Sequence, residues 1–135
     1  MTKIHQANID LIADLPDRIP QNLEEARDRF AGDFEWYYFN KSLPQINKTY
    51  KGFDGLMTFF DDLGALTGGS FRVSLKEIYS LGSEFVVVHA CPAMRIDEMA
   101  LETDAVVVWR IVEGKIAEAW DVPGINSAIR PQPQA

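Results

Sequence analysis

Apolar residues recur three and four positions apart through residues 4–15, at Ile4, Ala7, Ile9, Leu11, Ile12 and Leu15. That spacing predicts a short amphipathic helix, stopped by Pro16. After Pro20, the residues Leu23, Ala26, Arg27 and Phe30 share one face, and Glu24 and Glu25 lie where a helix N-terminus favours acids. A second helix is therefore expected over 21–31, with Gly32 as its stop. The period then changes. In 33–40, Phe34, Trp36 and Tyr38 alternate with Glu35, Tyr37 and Phe39, and so many aromatics predict a strand. Residues 41–51, with Pro44 and little periodicity, read as a loop. Asp54 suits the N-cap of a third helix, with Leu56, Met57, Phe59, Phe60 and Leu63 as its buried stripe. Gly64 and the Gly68-Gly69 pair end it.

From Ser70 onward the pattern is β. Phe71, Val73 and Leu75 alternate with Arg72, Ser74 and Lys76, and a turn at Leu81-Gly82-Ser83 leads into EFVVVHACPAMRID. Pro92 has no N–H to give a ladder, so this strand is expected to be interrupted or at an edge there. Asp97-Glu98 marks another turn. The clearest hairpin follows in 103–124, with Glu113-Gly114 at its tip. Regular pairing about that loop places Asp121 opposite Val106. One face then carries Val106, Val108 and Arg110 with Ala117, Ala119 and Asp121. The other carries Val107, Trp109 and Ile111 with Ile116, Glu118 and Trp120. Small alanines suit a pocket floor, so the first face is assigned to a cavity and Trp109 and Trp120 to an interface. Helices followed by antiparallel strands make an α+β pattern, with three N-terminal helices covering one sheet face. Residues 1–127 read as one domain and 128–135, rich in Pro and Gln, as a flexible tail.

Composition narrows the function. The 135 residues carry a net charge of −7, against nucleic acid and anionic membrane as partners. The single cysteine, Cys91, and the lack of a Cys/His cluster speak against a structural zinc site or other metal. The N-terminus has acids inside its apolar run and no signal pattern, so a cytoplasmic location is expected. No phosphate loop, GxSxG elbow, HExxH or EF-hand pattern is present.

Three stretches carry a family resemblance: FAGDFEW after the second predicted helix, YKGFDGL leading into the third with Phe59-Phe60 after it, and VVVWRIVEGKIAEAWDVP. In this order they resemble the NTF2-like superfamily, in its SnoaL-like and ketosteroid-isomerase-like branch, over residues 5–126. The resemblance implies a strongly curved sheet wrapped as a cone around a long cavity, and a homodimer through the outer sheet face. It leaves function open, since such proteins include isomerases, cyclases, hydrolases, dehydratases and members with no known activity.

Asp121 matches an acid late in the last strand that some polyketide-cyclase members use, and a carboxylate in an apolar pocket has a raised pKa suited to proton transfer. Capping the strand end or pairing with a base is the alternative. The second acid common three residues on is absent; Gly124 stands there. His89, in the middle of VVVHAC, is a candidate partner for Asp121, or a histidine bonded to backbone. Tyr38 occupies the position of the isomerase base, five residues after Asp33. A tyrosine is a poor base at neutral pH, so that mechanism is not expected. Tyr38 remains a candidate to polarise a ligand oxygen, or a core aromatic. Trp36, Phe59, Phe60 and Met94 are expected to line the apolar wall with Val106 and Val108, and Arg95 and Arg110 to contact an anionic group or pair with surface acids. The functional expectation is a cofactor-independent lyase, isomerase or cyclase acting on a small hydrophobic carbonyl compound. The alternative is a non-catalytic binding protein for an apolar ligand.

Overall fold

The computed structural model describes residues 3–97, 99–124 and 130–131. The predicted first helix is divided. Helix α1 spans Lys3–Ile12, and a single turn, α2, spans Leu15–Arg18. Pro16 is the second residue of that turn, not the stop of a helix running to Leu15. Proline is at home in a first turn, where its missing N–H has no intrahelical acceptor to lose. The expected helix over 21–31 is a 3-10 helix at Leu23–Arg29. Its buried residues, Leu23 and Ala26, are three apart, which matches three residues per turn. Strand β1, Phe30–Tyr38, follows, and β2, Thr49–Lys51, lies inside the stretch read as loop. Helix α3 runs Gly52–Thr67, starting two residues before Asp54 and ending on Gly68 in the left-handed region (φ 60°). The third helix thus comes after two strands, so the helices are not all N-terminal.

Strands β3 (Arg72–Leu81), β4 (Phe85–Ile96), β5 (Met99–Glu102), β6 (Ala105–Val112), β7 (Lys115–Pro123) and β8 (Arg130–Pro131) complete the sheet. Its order is β2-β1-β7-β6-β4-β5-β8, with β3 on the other edge of β4. The pairing of β1 with β7 is parallel; the others are antiparallel. Of the predicted tail, Arg130–Pro131 pair with β5, and the rest lies outside the described residues.

Strand β4 runs unbroken through Pro92. The missing donor is accommodated by a change of neighbour: β6 pairs with Phe85 to Ala90, β5 takes over from Ala93, and Pro92 falls between them. The Pro92 carbonyl accepts from the Thr103 N–H at 3.1 Å.

Alternation fixes the inner face. Phe34, Trp36 and Tyr38 of β1, Val86, Val88 and Ala90 of β4, and Val107, Trp109 and Ile111 of β6 are all buried. They pack against α3 through Leu56, Phe59, Phe60 and Leu63, and against Ile12 and Leu15 from the first two helices. Phe59 is the hub, 4.6 Å from the ring of Tyr38, 4.9 Å from Phe60, 5.3 Å from Tyr50 and 5.5 Å from Trp36. No helix among the described residues is long and apolar enough to cross a membrane.

Candidate active site

Between the inner sheet face and the helices lies a cavity of about 390 Å³, within the usual range of ligand sites. Its wall is apolar almost throughout. The polar exceptions are few, and three of them, Tyr38, Asn40 and Asp121, come together at the end of β1 and β7. Tyr38 and Asp121 are direct partners in the parallel β1–β7 pairing, and the Phe39 N–H bonds the Asp121 carbonyl at 3.1 Å.

The hairpin tip is the two-residue loop Glu113-Gly114, both with positive φ (51° and 78°), which suits a tight hairpin turn. Regular pairing ends soon after. Ile111 pairs with Ile116, but Arg110 pairs with Glu118, so Ala117 is an extra residue on β7, a β-bulge. Beyond it the register moves by one. Asp121 lies opposite Val107, not Val106, and Ala119 lies opposite Trp109.

The inner face of the hairpin is therefore Ala105, Val107 and Trp109 with Ala119, Asp121 and Pro123; Ala119 is fully buried beneath the wall, and the other five line the cavity. Trp109 belongs to the cavity wall, not to an interface. Val106, Val108 and Arg110, expected to touch a ligand, line no part of the cavity: Val106 is 48 % exposed on the outer face, and Arg110 is held there by Glu84 and Glu118. Its guanidinium also lies 4.6 Å from the centre of the Phe85 ring. Trp36, Phe59, Phe60 and Met94 do line the cavity, and Arg95, next to Met94 on the same strand, is exposed on the opposite face.

His89 is separated from Asp121 by the sheet itself. It alternates with the inward Val88 and Ala90 and faces out, where its Nε2 lies 2.8 Å from Asp104 Oδ1 and its Nδ1 lies 3.9 Å from Glu77 Oε1. The expected His89–Asp121 acid–base pair does not form, because two residues on opposite sides of a pleated strand cannot share one cavity.

Asp121 is left alone. Among the described residues no side chain hydrogen-bonds or ion-pairs with its carboxyl, and burial in the apolar wall pushes its pKa from 3.8 up to about 7. Tyr38, nearly fully buried, has its phenol pushed above the ordinary tyrosine value by burial first and by the Asp121 charge second. Its oxygen accepts a hydrogen bond of 2.9 Å from Asn40 Nδ2. Asn40 is a site residue that the sequence reading passed over. It sits just past a run of aromatics, where an amide reads as the turn residue ending a strand. The indole N–H groups of Trp36 and Trp109 are also buried without a partner among the described residues. No group of three or more His, Cys, Asp or Glu side chains among those residues is arranged to hold a metal.

No family model matches this sequence, and no curated protein does either. Solved structures do. A protein assigned as a SnoaL-like polyketide cyclase from Jannaschia sp. CCS1 shares 13% identity over 91% of this chain and 89% of its own, with a TM-score of 0.75. An NTF2-like protein of unknown function from Burkholderia pseudomallei K96243 shares 17% identity over 87% and 91%, with a TM-score of 0.76. TerC, co-crystallised with polyporic acid, shares 21% identity over 88% and 89%, with a TM-score of 0.69. The architecture is that of a cone-shaped α+β pocket protein. The chain has the NTF2-like fold, shared with SnoaL-like and ketosteroid-isomerase-like proteins.

Proposed function

We propose that this chain is a cofactor-independent lyase, isomerase or cyclase that moves a proton on a small hydrophobic carbonyl compound. Asp121 is the base and Tyr38 the hydrogen-bond donor to the carbonyl oxygen. The observation that carries the reading is the solitary Asp121 carboxyl in an apolar cavity, its pKa raised by burial to about 7. A base poised there is half ionised at neutral pH and strong enough to abstract a proton activated by a carbonyl. In the step proposed, the carboxylate takes the α-proton, the C–H electron pair becomes the enolate double bond, and the charge on oxygen is met by the Tyr38 O–H. The proton then returns at the same or a neighbouring carbon. His89 takes no part. A ligand class is supported by size as well: about 390 Å³ is the volume of roughly a dozen waters at ~30 Å³ each, enough for one substituted ring system.

The test is exchange of the α-protons of ethyl benzoylacetate in heavy water, followed by NMR. The protein should accelerate it, with a rate that rises as pH increases through about 7 and then levels, and Asp121→Asn should abolish the acceleration. Binding of the ester, seen by quenching of the cavity tryptophans, without any acceleration would favour a binding protein over an enzyme. The reading includes a homodimer formed through the outer sheet face. Its support is the group of exposed apolar residues there, Tyr79, Leu81, Val106 and Val122, which exceeds what scattered surface apolar residues need.

A further inference from the structure

We propose that Asn40 fixes the direction of the Tyr38 hydroxyl, so that this hydroxyl meets a ligand in the cavity as a hydrogen-bond donor. The inference rests on the placement of the ligand oxygen proposed above and adds a positioning residue and a selection rule to it.

The orientation of the Asn40 amide follows from its contacts. Oδ1 accepts the Ser42 backbone N–H at 3.0 Å, and the backbone N–H of Asn40 is tied to Asn47 Oδ1 at 2.8 Å. A backbone N–H requires an acceptor, so the amide cannot be turned over, and Nδ2 must be the atom facing Tyr38. Asn40 is buried at 4 % exposure, so no bulk solvent competes for that N–H. The Tyr38 oxygen therefore accepts a hydrogen bond from Asn40 and has its own single proton to place elsewhere. Asp121 raises the Tyr38 pKa through its charge alone, without a hydrogen bond between them. The phenol proton is thus aimed into the space the two residues share on the cavity wall. A carbonyl, enolate or phenolate oxygen accepts it. A group without an acceptor atom gains nothing from it.

Affinity, not turnover, tests this. Ethyl benzoylacetate and butylbenzene, which has no oxygen, are titrated by tryptophan fluorescence at pH 8 into wild type, Asn40→Asp, Tyr38→Phe and the double variant. In N40D the introduced carboxylate keeps the amide's shape and its Ser42 contact, and both neighbouring donors favour its ionised form. It draws the Tyr38 proton away from the cavity. N40D and Y38F should each weaken the ester by roughly three- to tenfold, the worth of one neutral hydrogen bond. The double variant should be no weaker than Y38F alone, and butylbenzene should bind all four alike. Equal losses from N40D in both backgrounds, or parallel losses for butylbenzene, would mean that Asn40 only supports the fold and would overturn the proposal. Should N40D fail to fold, Asn40→Leu, close to asparagine in shape, gives the same cycle: its smaller loss must also vanish in Y38F. Loss of proton exchange with this binding pattern intact would refute Asp121 as base while leaving Asn40's role standing.

Discussion

The ionisation of Asp121 can be measured without a ligand, through stability. The perturbation is Asp121→Asn, nearly isosteric and uncharged. In the native state burial holds the carboxyl's pKa at about 7; in the unfolded chain it returns to about 3.8. Because the folded value is the higher one, the native state binds the proton more tightly. The stability this contributes is complete below pH 3.8 and is lost as pH rises through 7. Integrated between pH 5 and pH 8, the loss is on the order of 3 kcal/mol; over the whole titration it is about 4 kcal/mol at ~1.36 kcal/mol per pKa unit. Water entering the cavity would lower both figures toward about half. The assay is urea unfolding of wild type and D121N at pH 5 and pH 8. Background ionisations are common to both proteins, so the quantity read is the difference between the two proteins' pH dependences. D121N should be the more stable protein at pH 8 by on the order of 2 kcal/mol more than at pH 5. Identical pH dependences would show that Asp121 titrates as an ordinary exposed carboxylate, and the proposed base would lose its physical basis.

The remaining expectations address the frame around the site. Phe59→Ala removes the ring that joins α3 to Trp36, Tyr38 and Tyr50 and should cost about 3–5 kcal/mol in denaturant unfolding. Ala119, fully buried and level with both Trp36 and Trp109, has no room for a larger group; Ala119→Leu should cost about 1–3 kcal/mol and reduce ethyl benzoylacetate binding. Asp14, held by Arg29 and Arg18, has its carboxyl lowered to about 2, so its small stabilisation persists above pH 3.8 and is lost as pH falls through 2; Arg29→Ala should flatten that acid limb in thermal melts. Val122→Glu on the outer face should shift sedimentation from dimer to monomer while leaving the far-ultraviolet circular dichroism unchanged.

Which parts of this molecule were legible in the sequence follows from the range over which each signal acts. Alternation within a strand is local. It places Ala119 and Asp121 inward and Trp120 outward on β7, and Trp36 and Tyr38 together on β1, whatever the neighbouring strands do. Register between strands is not local. The single extra residue at Ala117 moved β6 by one position relative to β7. It thereby exchanged Val106, Val108 and Arg110 for Val107 and Trp109, as a one-residue slip must. Nothing in GKIAEAWD announces a bulge by composition. Two local signals did point the right way. Arg110 on a cavity wall would need a partner for its charge, and Met94 and Arg95, adjacent on one strand, cannot both face the same pocket. The same rule separates His89 from the cavity once Val88 and Ala90 are placed inside. The 3-10 helix and the divided first helix were lost for another reason: a spacing of three satisfies both helix types, and proline marks a first turn as readily as a stop.

The inner face of this sheet nevertheless carries one conflict that any reading of the pattern exposes. On that face Asp121 has the apolar neighbours Val107, Ala119 and Pro123 and, across β1, the uncharged phenol of Tyr38, and among the described residues the acid has no counter-charge. A chain selected for stability alone would hold Asn, Leu or Val here, since each avoids the penalty of an ionised buried carboxyl. Sequences that otherwise agree at every level depart from that agreement at functional positions. Of the other charged side chains of the hairpin, Asp104, Glu113 and Lys115 are exposed, and Arg110 and Glu118 face outward and pair with each other at 2.7 Å, so the strand pair keeps its charges out of the core with this one exception. Tyr38 and Asn40 extend the exception, a phenol and an amide buried beside the acid in an order that leaves one proton aimed into the cavity. A merely structural buried acid would take that proton as a hydrogen bond. Here the two groups are neighbours on paired strands and line one cavity without bonding each other.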